Sequence, residues 1–428
     1  MSQASAAAPA PAPAPAPVAP AQASLPGAPS TGTSPVAAPT PTVLARMRLG
    51  LTIAIVLVGA LLAGLLAAEV VRAGRADADT AQLIRVQEVK ANLLRADALA
   101  TNAFLIGGLE PAAQRAAYDD ALDAAVQGIT EAAAAQGADT EVLTALSQEV
   151  SSYSELMGQA RANNRQGKPV GAAYLRQAST NLRSMTLPLV EALITANKER
   201  SDKALSLIPA LLLLLPALLA IGLALLANRW IGKRFRRRIN VGLAIAVALL
   251  AVAGLASANA VYSRQSANDE LKAGAYATAL DASTALSAAN DARAYESLRL
   301  VERGSGSKWE TPWKEQAATV QAVADRGAAS VDWSAYADVH GKVIALDESG
   351  DWDQAVALST KAEGSNGVFT RLDSGLRGQV DSAAATVSEG LGGGTRWLLG
   401  TGILALLLAL AAAAMAWRGI TARLEEYS

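Results

Sequence analysis

The chain has 428 residues, of which 51% are hydrophobic, and its formal net charge is −1. A charge this close to zero gives no whole-chain signal for nucleic acid, so we expect no nucleic-acid partner. The sequence contains no cysteine and a single histidine, which excludes disulfides, thiolate catalysis and Cys or His metal clusters. The composition therefore predicts no cofactor and no His-dependent catalytic triad.

The N-terminal region, residues 1–45, is rich in alanine and proline. Residues 1–42 carry no charged side chain, and Ala and Pro alternate from Ala8 to Pro17. Such a sequence favours extended polyproline II and buries too little apolar surface to fold. We predict a disordered cytoplasmic tail, with recognition by a proline-binding partner as the alternative.

Four long apolar runs contain no charged residue and lie at Leu49–Ala68, Ala204–Ala227, Val241–Val261 and Trp397–Ala416. Each is close to the ~20 residues that a helix needs to cross the hydrocarbon of a bilayer. A helix satisfies its own backbone polar groups, which lipid requires. We therefore predict transmembrane helices at residues 46–68, 204–227, 241–261 and 397–417.

The basic residues predict the orientation of these spans. The short loop 228–240 is strongly basic, and its main cluster is Lys233, Arg234, Arg236, Arg237 and Arg238. Short basic loops stay in the cytoplasm. We therefore expect this loop, residues 1–45 and residues 418–428 on the cytoplasmic side of the plasma membrane. Two large segments, 69–203 (segment 1) and 262–396 (segment 2), are then extracytoplasmic.

The two large segments have nearly equal length and align at a constant offset of 183 residues. The matched pairs are Tyr153 with Tyr336, Gly158 with Gly341, Gly167 with Gly350, and Leu175 with Leu358. This pattern predicts an internal duplication. Neither segment shows a sustained strand pattern. The predicted fold class is an all-α integral membrane protein with four transmembrane helices and two duplicated extracytoplasmic helical bundles.

Glycine, proline and capping residues predict where the helices of the segments begin and end. Breaks are expected at Gly107-Gly108, 137–139, 167–169, 304–306 and 349–351. Thr311, Asp332 and Asp351 are the expected N-caps. The last helix of segment 1 is expected to enter its span without a break, whereas the glycines of 390–394 predict a hinge before the last span.

A candidate ligand pocket is suggested by acids on the first helix of each segment. Asp97 shares a helical face with apolar residues, and Asp291 takes a comparable place in segment 2. Each has an arginine two residues away, Arg95 or Arg293, and a buried carboxylate must be paired or its pKa shifts. One hypothesis is a ligand pocket formed by Asp97, Asn102, Asp291 and Asn290. The alternative is a rim carboxylate or a structural ion pair.

Segment 2 has two further candidate features, a histidine and a group of tryptophans. His340 is expected on a helix surface without a sensing role. Four tryptophans concentrate in this segment, at Trp309, Trp313, Trp333 and Trp352. Core packing is the expected use of these indoles, and an aromatic-lined pocket is the alternative.

The basic cluster of the loop has two interpretations. It holds the orientation and contacts anionic lipid, with about 1 kcal/mol for each residue near the surface, or it docks a cytoplasmic effector with an acidic face. The apolar runs lack ionisable groups, which argues against transport. The three short cytoplasmic pieces are too small for a kinase or cyclase domain, so we expect no enzyme.

The arrangement also resembles known families. Each segment with its two spans resembles the sensor modules of bacterial chemoreceptors and sensor kinases. The whole layout is similar to the GlnX family of actinobacterial four-span transducers in its Ala/Pro-rich tail, helical segments, basic loop and short C-terminal tail at 417–428. That family works between an extracytoplasmic amino-acid-binding lipoprotein and a cytoplasmic Ser/Thr kinase. The resemblance implies amino-acid sensing upstream of such a kinase.

The sequence thus predicts a non-enzymatic signal transducer that couples extracytoplasmic sensing to a cytoplasmic effector. The expected partners are the lipid bilayer, a solute-binding lipoprotein, a Ser/Thr kinase and a second copy of the chain. The alternative is a structural scaffold of the cell envelope or of secretion.

Overall fold

The computed structural model describes residues 40–206, 209–235, 240–327 and 330–425. In these ranges every regular element is helical, and no strand occurs. Four of the helices are long and apolar enough to cross a membrane. Three of them contain a whole apolar run, and the helical stretch Ala210–Lys233 covers residues 210–227 of the second run, which confirms span-capable helices there. Of the predicted disordered tail 1–45, residues 1–39 lie outside the described residues, whereas residues 40–45 are helical and not disordered. The cluster residues Arg236, Arg237 and Arg238 also lie outside the described residues.

The first helix, α1 (Thr40–Ile106), runs for 67 residues from the first apolar run to the far end of segment 1. At ~1.5 Å per residue this is a rod about 100 Å long. Gly107 and Gly108 end it with φ of 70° and 59°, a conformation that glycine adopts without a Cβ clash. The predicted stop is confirmed. One uninterrupted helix therefore joins the far end of segment 1 to the span.

The rest of segment 1 follows the predicted breaks. Its helices are α2 (Ala112–Ala135), α3 (Thr140–Arg165), α4 (Val170–Asn181) and α5 (Leu187–Ala204). A π-helical turn, Leu182–Thr186, joins α4 to α5.

The passage into the second span, α6 (Leu214–Phe235), is broken. The helix α5 ends at Ala204, and Pro209 has an extended ψ of 125° ahead of a short 3-10 turn at Ala210–Leu213. The expectation of an unbroken helix was wrong. Proline has no N–H to continue the helical hydrogen bonds, so Pro209 accounts for the interruption.

Segment 2 begins as the continuation of the third span. The helix α7 (Val241–Leu271) joins α8 (Ala277–Val301) through a second π-helical turn, Lys272–Tyr276. Gly274 in this turn has non-helical φ and ψ of −101° and −105°, so the helix is kinked there. The helices that follow are α9 (Glu310–Arg326), α10 (Ser334–Glu348), α11 (Trp352–Thr360), α12 (Ser365–Gly392) and the last span, α13 (Thr395–Leu424).

The predicted glycine breaks of segment 2 are confirmed, and Gly394, with φ of 78°, separates α12 from α13. Of the predicted caps, Asp351 stands at the N-cap position of α11, although its side chain makes no cap bond. The other two were wrong, since α9 begins at Glu310, ahead of Thr311, and Trp333, not Asp332, precedes α10. The last helix of segment 2 is also interrupted between α11 and α12, a break that no prediction covered.

The two segments pack against each other along α1 and α8. A single core of buried residues includes Leu93 and Leu146 from segment 1 and Leu298 and Leu376 from segment 2. Leu83 clusters with Tyr276 at one end, and Leu105 clusters with Leu300 at the other. Residue numbers therefore rise together along both helices. The helices α1 and α8 are parallel neighbours at the centre of one helical body.

The spans pack through small residues. Gly59 lies against Ala409, and Gly242 lies against Gly419, so closely that a Cβ at either glycine would clash. Lipid tails are as apolar as leucine, so helices in a membrane associate largely through such close backbone packing. The contacts place α13 between α1 and α7.

Candidate functional site

Asp97 in α1 is completely buried. Its carboxylate accepts hydrogen bonds from Ser179 Oγ at 2.7 Å, Arg183 Nη1 at 2.8 Å and Tyr153 OH at 3.2 Å. A buried carboxylate needs such partners because its desolvation is otherwise costly. The expected inward direction of Asp97 is confirmed, and its partners come from α3, α4 and the π-helical turn.

Arg183 connects this carboxylate to segment 2. Its Nη2 donates to Asp291 Oδ1 at 2.6 Å, and its guanidinium lies over the ring of Tyr295 at 4.6 Å. Burial raises the pKa of Asp291 and Arg183 opposes that rise. Burial lowers the pKa of Arg183, but the carboxylates of Asp291 and Asp97 raise it by a larger amount. The pKa of Arg183 therefore lies well above its ordinary value. One charged guanidinium therefore bridges the two segments from a π-helical turn, an element common at functional sites.

The other predicted residues join separate clusters. Asn290 Nδ2 donates to Asp373 Oδ1 at 2.9 Å, and Arg377 Nε donates to Asp373 Oδ2 at 3.0 Å. Arg95 lies 3.5 Å from Asp373, and does not pair with Asp97. Asn102 lies further along α1. The structure therefore does not bring Asp97, Asn102, Asp291 and Asn290 into one cavity, and their ligand role stays a prediction.

A pocket of about 240 Å³ lies at the far end of segment 1. Its apolar wall comes from Phe104, Leu109, Met157 and Leu175. Its polar wall carries three arginines and one carboxylate: Arg115, Arg161, Arg165 and Glu110. We call this cavity the tip pocket. It combines a charge of each sign with an apolar wall, the composition expected of a small-molecule site.

The charges of the tip pocket are partly paired. Arg161 Nε lies 3.3 Å from Glu110 Oε2, and its guanidinium stacks 3.7 Å from the ring centre of Tyr118. Arg115 pairs with Asp119 at 2.8 Å. Arg165 is exposed and makes no ion pair with any described residue. The pocket therefore keeps one uncommitted guanidinium beside an Arg–Glu pair.

Buried polar atoms without partners concentrate beside this pocket. Asn102 Nδ2, Gln114 Oε1 and Tyr118 OH are buried and make no hydrogen bond. Gln114 Nε2 donates to Asn102 Oδ1 at 3.3 Å, so these residues are neighbours. Burial raises the pKa of Tyr118 to about 12, with Arg161 opposing the rise. A buried unsatisfied polar group costs about 1–3 kcal/mol. Donors and acceptors are therefore available beside the tip pocket.

At the offset of 183, segment 2 has Asp347 and Glu348 where segment 1 has Asn164 and Arg165. The buried Arg299 donates to Asp347 Oδ2 through Nε and to Glu348 Oε1 through Nη2, both at 3.0 Å. A cavity of about 550 Å³ also lies at this end of segment 2, and Arg303, Asp347 and Trp352 line it. The charges at the two positions therefore differ between the segments.

His340 is buried, so its predicted surface position was wrong. Its ring stacks on Trp313 with centres 3.6 Å apart, and its Nδ1 lies 2.9 Å from Glu296 Oε2. Glu296 also accepts from Tyr336 OH at 3.1 Å and pairs with Arg293. Burial raises the pKa of Glu296, but Arg293 and His340 outweigh it and lower the value to about 2. Local sequence gave no signal for this cluster.

Tyr153 and Tyr336, which match at the offset of 183 residues, are the sequence feature that both buried acids, Asp97 and Glu296, have in common. Tyr153 donates to Asp97 on α1, and Tyr336 donates to Glu296 on α8. Gly167 also matches Gly350, and both are left-handed with φ of 66° and 86°. Each of the two matched tyrosines thus donates to a buried carboxylate, Asp97 or Glu296.

A comparison with known families applies to the first half of this body. Residues 72–206 match the family model of the actinobacterial sensor domain. The matched range contains the tip pocket, Arg183 and nearly all of segment 1. No curated protein and no solved structure matches the chain. The similarity supports an actinobacterial sensor protein and a sensing, signal-transducing role.

Proposed function

We propose that this chain is a non-enzymatic signal transducer of the plasma membrane. Both termini and the loop 228–240 lie in the cytoplasm, and segments 1 and 2 lie outside. The observation that carries the proposal is α1: one unbroken helix lines the tip pocket and continues through the first span. Because α1 has no break, a displacement at the tip pocket is transmitted along its whole length.

The proposed ligand of the tip pocket is a small zwitterion such as an amino acid. An arginine fork matches a carboxylate in a bidentate way. Arg165 supplies an unpaired fork, and Arg161 beside it supplies one that it shares with Glu110. Glu110 provides the partner for an ammonium group, and Phe104 and Met157 face the ligand side chain. A volume of about 240 Å³ lies below the usual range for drug-sized ligands, which favours a small one. Docking of a liganded solute-binding lipoprotein on the same tip is the alternative input.

The proposed output lies at the other end of the spans. Arg48 of α1 donates to Thr421 Oγ1 at 3.1 Å, and its guanidinium lies over the Trp417 ring at 3.8 Å. Asn240, which ends the basic loop, donates to Gly419 O at 2.7 Å. Movement of α1 would thus reach the C-terminal tail and the basic loop together. We propose that a Ser/Thr kinase docks on this surface.

The test is ligand binding by the full chain in lipid nanodiscs, measured by calorimetry against a panel of free amino acids. We expect one or more to bind, and Arg161→Gln to weaken binding about tenfold or more, since hydrogen bonds to charged groups contribute ~1.5–3 kcal/mol. Arg303→Gln is the matched control, because Arg303 stacks on Trp352 at 3.7 Å in segment 2.

Two results would contradict this function. If no amino acid binds the native chain, the scaffold alternative or an input through a binding lipoprotein takes its place. If Arg161→Gln and Arg303→Gln bind equally well, the ligand does not use the tip pocket.

A further inference from the structure

An open groove of about 770 Å³ lies where segment 1 meets the spans α1 and α6. Four basic side chains and one acidic side chain line it: Arg72, Arg75, Arg200, Lys203 and Asp79. We call it the juxtamembrane groove. It is remote from the tip pocket along α1, and neither the sensor-domain match nor the proposed ligand assigns it a role.

Two arginines of the groove are more exposed than the carboxylates they pair with. Arg72 pairs with Glu69 at 2.6 Å, and Arg200 pairs with Asp139 at 2.6 Å. The Glu69 and Asp139 side chains are only 3% and 4% exposed, whereas the two arginines are 39% and 29% exposed. The guanidinium groups therefore present the accessible charge.

Two further cations are available to a ligand. Arg75 is exposed and makes no ion pair in the described part of the chain. Lys203 lies 2.7 Å from Glu199, but both side chains are largely exposed, and such a surface pair contributes little. Asp79 accepts a hydrogen bond from Gln136 at 3.3 Å. The groove thus favours an anion.

The floor of the groove is apolar and continues along the span. Pro209 and Leu212 line it, because the break after α5 leaves this space open. Leu211 and Leu215, just beyond, are exposed. A free phosphate makes no favourable contact with an apolar surface, whereas an acyl chain packs along it. The apolar floor therefore favours a lipid over a soluble anion.

The height of the groove agrees with the lipid headgroup layer. Residue 68 ends the predicted first span, and Arg72 and Arg75 follow by four and seven residues on the same helix. At ~1.5 Å per residue they lie about 6 and 10 Å beyond the hydrocarbon edge. The headgroup region of a bilayer lies at about this height.

We propose that the juxtamembrane groove binds one anionic phospholipid, with its phosphate between Arg75 and Lys203 and its acyl chains along Leu212 and Leu215. The bound lipid fills the space that the break between α5 and α6 leaves. This inference rests on the proposed function only for the membrane level of residue 68, and it does not depend on a ligand at the tip pocket.

The test uses the absence of native cysteine. Ser206→Cys, labelled with bimane in nanodiscs, is quenched by phosphatidylglycerol or phosphatidylcholine that carries a doxyl group near the top of one acyl chain. We expect stronger quenching by phosphatidylglycerol. Arg75→Gln with Lys203→Gln should lower that preference about thirtyfold, since each cation near a charged lipid surface contributes ~1 kcal/mol. The control Arg396→Gln, at the start of the last span, should leave it unchanged.

Three results would overturn the proposal. Equal quenching by the two lipids in the native chain removes the anion preference, and an unchanged preference in the double variant removes the groove as its source. Loss of the preference in inorganic phosphate, but not in chloride at the same ionic strength, assigns the site to a soluble anion, because chloride controls for screening. Amino-acid binding at the tip pocket, measured separately, distinguishes these failures from a failure of the proposed function.

Discussion

Arg183 of segment 1 donates to Asp291 of segment 2 at 2.6 Å while its other terminal nitrogen holds Asp97 at 2.8 Å. Both carboxylates are buried, so this guanidinium is the shared counter-charge of two helices, α1 and α8. Removing one partner of a buried ion pair leaves an uncompensated charge in the core. The bridge therefore couples the position of segment 2 to that of α1.

Replacing Arg183 should lower the free energy of unfolding of the helical body that segments 1 and 2 form. Arg183→Met leaves Asp97 and Asp291 without their counter-charge, and breaking a buried pair costs about 3–5 kcal/mol. The free energy of unfolding in detergent at neutral pH, followed by tryptophan fluorescence, measures the loss. Adding Asp291→Asn to this variant should restore part of it.

The matched control is Arg371→Met, since Arg371 is exposed in α12. A surface substitution of this kind should change stability by less than about 0.5 kcal/mol. If Arg183→Met lowers the free energy of unfolding no more than this control does, the bridge between the segments contributes no stability.

His340 should make stability fall at alkaline pH. Burial lowers its pKa, but the carboxylates of Glu296 and Glu310 raise it more, so its pKa in the folded protein lies above the ordinary 6.5. A raised pKa stabilises the fold fully below about pH 6.5, and this contribution is lost as pH rises through the folded value. His340→Gln should flatten that part of the unfolding profile. An unchanged slope would show that the imidazole stays neutral.

Cysteine labelling should establish the orientation. Ser151 and Ser349 are exposed in segments 1 and 2. Single cysteines at these positions should react with a membrane-impermeant maleimide in intact cells, whereas cysteine at Gly232, in the basic loop, should not, because basic loops stay inside. The opposite pattern would invert the topology.

The basic loop should govern effector capture. Replacing Arg236 and Arg238 by glutamine leaves Lys233, Arg234 and Arg237 to hold the loop inside. We expect weaker capture of the effector kinase and a flatter salt dependence, since exposed charges are screened over ~8–10 Å at physiological ionic strength. Capture at full strength with unchanged cysteine labelling would leave the loop as a membrane contact only.

At the candidate site, the ion pairs could not be predicted from which charged residues are neighbours in sequence. Arg95 and Arg293 are the arginines closest in sequence to Asp97 and Asp291, yet they pair with Asp373 and Glu296. The arginine that serves both acids is Arg183, which lies far from both in sequence. Of the predicted pocket residues, Asn102 alone lies beside a cavity with unsatisfied polar atoms. These ion pairs depend on which helices pack against each other, and the local sequence pattern does not specify that packing.

The sequence alone determined the four span-capable helices and most of the breaks between helices. Both follow from local causes: about twenty apolar residues cross a bilayer as a helix, and glycines such as Gly107 tolerate left-handed backbone. The tertiary structure alone decided that α1 and α8 share one core, that His340 is buried, and that segment 1 keeps an open pocket. These depend on contacts between residues far apart in the chain, whose free energy exists only once the helices have packed.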